Sequence, residues 1–151
     1  MAHPAWVHTV FSEADLDAIT GAVGRAETAT TAEIRVHLER TVPRGRAPLA
    51  RAQEVFQRLG MHRTRHRNGV LIYLALEHRK LAIVGDSAIH ERVGDAYWEG
   101  VRDLMVGHLR AEAPRNAVVH AVEDLGRVLA EHFPRRPGDD PNELSNEVST
   151  G

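Results

Sequence analysis

The run VLIYLAL at residues 70–76 limits the folds open to this chain more than any other stretch. Side chains on a strand alternate between its two faces, so a run that is apolar at every position is buried on both sides. A strand of that kind sits inside a sheet with helices covering each face. The run is also the longest apolar stretch, and it is far short of the ~20 residues that a membrane span needs.

Neighbouring segments complete the sheet. Asn68-Gly69 is turn chemistry ahead of the run. The four residues EHRK then lead to LAIVG at 81–85, a connection short enough for an antiparallel hairpin. Upstream, AEIRVHLERTV alternates with period two. Ile34, Val36 and Leu38 face one way, while Glu33, Arg35, His37 and Glu39 face the other. Glu33, Arg35 and His37 on that polar face are a candidate site. Alternating charge there also suits a solvated sheet face or cross-strand ion pairs.

Four segments carry helical periodicity. In FSEADLDAITGAVGRAE, Ser12 fits an N-cap, and Glu13 and Asp15 favour the positive end of the dipole. Phe11 can pack on Leu16 as a hydrophobic staple. In APLARAQEVFQRLG, Pro48 suits the first position and Gly60 the stop; Leu49, Ala52, Val55, Phe56 and Leu59 are spaced for burial. DAYWEGVRDLMVGHLRAE lines Tyr97, Val101, Leu104, Met105 and His108 along one side. Its Gly100 and Gly107 each cost about 1 kcal/mol against Ala, which predicts close backbone packing in return. The last helix, 114–133, sets Val118, Val122, Leu125 and Leu129 in register. The order α-β-α-β-β-α-α predicts a three-layer α/β/α sandwich around a small mixed β-sheet. Residues 1–133 form the domain, and 134–151 read as a polar C-terminal tail, extended or disordered.

With 19 basic and 21 acidic residues the formal charge is −2, so no net field draws nucleic acid or anionic lipid. The absence of Cys excludes disulfides, zinc ribbons and a thiol nucleophile. MAHPAWVHTVFSEADL has neither a basic nor an apolar leader segment, so a soluble, cytoplasmic protein with no integral membrane segment is expected.

The chemistry concentrates in IVGDSAIHERVGD. Ser87 there imitates the nucleophile of a GDSL-type hydrolase, but no Asp-x-x-His partner occurs anywhere. HERVG starts like a zincin helix and puts Gly94 where the second His is needed. The two histidines of HRTRH sit among arginines that would repel a cation. What remains is oxygen chemistry. Asp86, Glu91 and Asp95 lie within ten residues beyond a strand end, with Asn68 across the hairpin, and hard cations such as Ca²⁺ and Mg²⁺ take carboxylates and carbonyls from such loops. Alternatively, Asp86 caps the short helix SAIHERV and Asp95 caps the next. Asp139, Asp140 and Glu143 of the tail lack the Ca²⁺-loop pattern, and no P-loop or dinucleotide fingerprint is present.

RNGVLIYLALEHRKLAIVGDSAIHERVGDAYWEGVRDLMVGHL, followed by a helix ending LGRVLAEHFP, resembles the TPM domain family, which includes the thylakoid lumen acid phosphatase. Asn68 to Leu71 match the family's Asn-Gly-Val-Leu entry into a strand, Gly85 matches its strand end, and TAEIRVHLE looks like its first strand. The likeness extends over residues 11–133. Asp86, Tyr97-Trp98 and the NEL of 142–144 resemble a short soluble bacterial branch. The resemblance implies an α/β/α sandwich, a Ca²⁺ or Mg²⁺ loop, and either phosphatase activity or an accessory role beside another protein. The family's GYGLEG loop is GDSAIHERVGD here, so its ligands do not carry over one for one. Two functions are expected on this basis. One is a divalent-cation-binding interaction module with a protein partner. The other is a metal-assisted phosphomonoester hydrolase in which Asp86 or Asp95 holds the metal and His90 moves a proton.

Overall fold

A computed structural model describes residues 3–135 and 145–151. Its centre is β2 (Gly69–Ala75), which is buried at every position, as the apolar run predicts. β2 lies between a parallel neighbour, β1 (Glu33–Glu39), and an antiparallel one, β3 (Lys80–Gly85). The parallel pair needs a crossover, which α2 (Pro48–Arg58) supplies; the antiparallel pair needs only the short hairpin. A fourth strand, β4 (Ser149–Thr150), runs parallel to β1 at the other edge, giving the order β3-β2-β1-β4.

The two faces of the sheet bury different partners. Ile34, Val36 and Leu38 of β1 join Val70, Ile72 and Leu74 of β2 in a large core shared with α1 (Glu13–Glu27), α3 (Ser87–Arg110) and α4 (Pro114–His132). Leu71, Tyr73, Ala75 and Ala82 face α2 in a smaller core with Ala52, Val55 and Phe56. This is the three-layer sandwich. Phe11 and Leu16 are both buried in the larger core, and Ser12 and Asp15 complete a reciprocal capping box. Gly60 ends α2 with φ 74°, in the left-handed region. Among the described residues no helix is long and apolar enough to cross a membrane.

Several sequence expectations are corrected. Leu49 and Leu104 are exposed, because each falls just outside its helix's buried stripe. Gly100 and Gly107 pack against no other element: beyond the adjoining helix backbone, a Cβ at either would meet no described atom within 4 Å. The close approach is at Gly126 instead, where a Cβ would lie 2.7 Å from that of Ala26, so α4 rests directly on α1. The polar face of β1 is not solvated. Glu33, His37 and Glu39 are only 2, 3 and 4% exposed.

The middle of the predicted tail, including Asp139, Asp140 and NEL, lies outside the described residues. Its last residues return to the sheet: Val148 is buried in the larger core, and Gly151 N donates to Leu38 O at 3.0 Å.

Candidate functional site

Three strand termini meet at one end of the sheet. Glu33 of β1 is in register with Gly69 of β2, and Val70 with Gly85 of β3. Asp86 N donates to Gly69 O at 2.9 Å, and Ala88 N to Arg67 O at 3.1 Å, which fastens the start of α3 to the turn before β2. Glu33, Asn68 and Asp86 are thereby set in a row across three adjacent strands. Arg67, just before Asn68, has φ 52°, a left-handed conformation uncommon for a residue other than Gly. Its Nη1 donates to His62 O at 2.6 Å.

The row is built from polar groups taken out of water. Asn68 is buried, and its Nδ2 donates to Thr31 Oγ1 at 3.1 Å. Asp86 is the N-cap of α3; its Oδ1 accepts from Ser87 N at 2.7 Å. Its second oxygen, Oδ2, is buried without a hydrogen-bond partner among the described residues.

Trp98 closes the far side. A Cβ on Gly85 would fall 2.2 Å from the indole, so only glycine lets the ring lie across this strand end. The indole Nε1 donates to His90 Nδ1 at 3.1 Å, leaving the His90 proton on Nε2, which faces Asp95 Oδ1 at 3.6 Å.

The sequence trio of Asp86, Glu91 and Asp95 is not brought together. Glu91 is exposed on α3 and the Asp95 side chain is 87% exposed. Among the described residues no three His, Asp or Glu side chains are grouped to hold a metal. The cause is local. Capping commits one Asp86 oxygen to the helix, and Gly94 (φ 74°, ψ 173°) breaks α3 into 87–93 and 95–110, so Asp95 starts a separate segment. Of the expected residues, Asp86 and Asn68 share the strand end, Glu33 joins them from β1, and His90 stands behind Trp98.

His37 lies elsewhere, near the opposite end of β1. It is in register with Tyr73, and the rings stack at 6.2 Å and 15°. Arg51 of α2 clasps Glu39 along one guanidinium edge, Nε to Oε1 at 2.9 Å and Nη2 to Oε2 at 2.6 Å, and Tyr73 Oη donates to the same carboxylate at 2.6 Å. Burial opposes ionisation of Glu39, but the hydrogen bonds from Arg51 and Tyr73 hold its pKa below the ordinary value. His37 Nδ1 meets Ser149 Oγ at 2.7 Å, whereas Nε2 is buried without a hydrogen-bond partner among the described residues, 3.8 Å from Glu39 Oε2. No motif in the sequence ties Arg51 or Tyr73 to this cluster. The available signal was Tyr73 itself, the one polar-tipped residue in an otherwise apolar run.

A mixed sheet between one helix and three, with a capped carboxylate where β3 turns into α3, defines a small α/β/α domain of a recognisable class. The chain belongs to the TPM domain family, which it matches over residues 7–128. It is similar to the BA42 protein of the psychrophilic bacterium Bizionia argentinensis, with 36% identity and a TM-score of 0.85 over 93% of this chain and 95% of that one. The N-terminal domain of a protein from P.gingivalis, target PgR37A, shares the fold at 18% identity and a TM-score of 0.69, covering 84% of this chain and 83% of that one. The N-terminal domain of cg2496 from Corynebacterium glutamicum does so at 18% and 0.65, covering 88% of this chain and 82% of that one. Comparison with curated proteins returns no match.

Proposed function

We propose that this TPM-domain protein is a divalent-cation-binding accessory module that works beside a protein partner, with its Ca²⁺ or Mg²⁺ seat at Asp86. One observation carries the reading: the buried, unpartnered Oδ2 of Asp86. A buried acceptor without a partner costs roughly 1–3 kcal/mol, and more when charged. A hard cation satisfies such an oxygen directly. Asp86 would supply the carboxylate, Asn68 and Glu33 are the oxygen-bearing side chains on the adjacent strand ends, and water completes the shell, as Mg²⁺ sites commonly require.

The hydrolase alternative has less behind it. One nitrogen of its expected proton carrier, His90, already accepts from Trp98, and the other faces Asp95.

Titration calorimetry and thermal unfolding with Ca²⁺ and Mg²⁺ test the proposal. At 100 times the dissociation constant the cation should add about 2.7 kcal/mol of stability. Asp86→Asn, which still caps a helix, should lose the response, while Glu91→Ala and Asp95→Ala keep it. A response unchanged in Asp86→Asn, or absent from the wild type, removes the seat. Turnover of a chromogenic phosphate ester that Asp86→Asn abolishes would establish the hydrolase instead.

A further inference from the structure

Away from the strand ends, two helices bring a pair of imidazoles face to edge. His108 stands near the end of α3, and His120 is in the second turn of α4. His108 Nε2 and His120 Nδ1 are 3.1 Å apart, with ring centroids at 4.8 Å and an interplanar angle of 76°. The helices beneath are locked by the buried Val101, Met105, Ala117, Val118 and Ala121, so the backbone fixes the spacing of the pair.

At 3.1 Å two neutral imidazoles must share one proton, donor to acceptor. Equally, two lone pairs can converge on one ion. With metal–nitrogen bonds of about 2.0–2.1 Å, two ligands of one ion lie about 2.9 Å apart at a right angle and about 3.4 Å apart at the tetrahedral angle. The observed spacing falls between these limits. We propose that His108 and His120 form a two-nitrogen seat for a borderline transition-metal ion, Zn²⁺, Ni²⁺ or Cu²⁺, on the outer seam of α3 and α4. Imidazole suits these ions and not Ca²⁺ or Mg²⁺, so the seat is chemically distinct from the one at Asp86. The remaining coordination positions face solvent and take water, because His120 is exposed and His108 only half-buried.

Protein stripped with EDTA and titrated with zinc chloride and, separately, nickel chloride should give saturable binding of one ion per chain. His108→Gln and His120→Ala should each weaken it about tenfold or more, and any response to Ca²⁺ or Mg²⁺ should be unaffected. In wild-type protein the ¹⁵N resonances of His108 Nε2 and His120 Nδ1 should move together on adding zinc. Should His120→Ala lose its circular-dichroism signature, His120→Gln replaces it. No binding by the wild type, binding kept in both variants, or loss in only one of them overturns the paired seat.

Discussion

His37 is a histidine kept neutral by where it sits. Its pKa is lowered to about 4, chiefly by burial; Glu39 opposes the shift, and Arg51, Arg58 and Arg35 add to it. The unfolded chain titrates this group near its ordinary value of about 6.5. Between those two values the unfolded state binds a proton that the folded state refuses. Stability is therefore full above pH ~6.5 and falls by about 3 kcal/mol as the pH drops to 4. Glu39 acts in the same direction lower down, since a depressed carboxylate loses its contribution as it protonates. Denaturant unfolding at pH 7 and pH 4.5 should show this loss in wild type and a smaller one in His37→Gln; equal losses would place the acid sensitivity elsewhere. The alternation of β1 was plain in the sequence, but the burial of its polar face was not. The groups that cover it come from positions 51, 73 and 149–151, and no local pattern joins them.

Among the elements, α3 and α4 show that a glycine's role depends on what its missing Cβ would touch. Gly94 holds φ 74° and ψ 173°, a region almost exclusive to glycine. Gly94→Ala should lower stability by about 1–3 kcal/mol. Gly126→Ala should also destabilise, because the new methyl would press on Ala26. Gly100→Ala and Gly107→Ala should do the opposite, each adding about 0.8–1 kcal/mol, since both sites are helical and open. Thermal unfolding of the four variants checks the signs. Caps, turns and stops such as Ser12, Pro48 and Gly60 were legible in the sequence because their chemistry is local. The glycine roles were not, since spacing along one helix does not say what lies beside it. The candidate site was legible in part. Asp86 stood out as a carboxylate at a strand end, but Glu91 and Asp95 were grouped with it by proximity in sequence, which a helix cap and a backbone break then undid.

For the molecule as a whole, the apolar run of β2 dictated the layers, and the short return of β4 was hidden in a polar stretch that reads as a tail. Ser149 meets His37 across 112 positions, and Val148 fills the larger core beside it. Val148→Ala should cost about 1–2 kcal/mol through lost burial. Loop closure over so long a span is entropically late, and helix and hairpin contacts form without it. The closing strand should then be absent from the folding transition state. Stopped-flow measurements on Val148→Ala should find the refolding rate close to wild type and nearly the whole stability change in faster unfolding. A two-residue strand would then act as a latch: it contributes nothing to the speed of assembly, yet it sets how long each assembled molecule lasts.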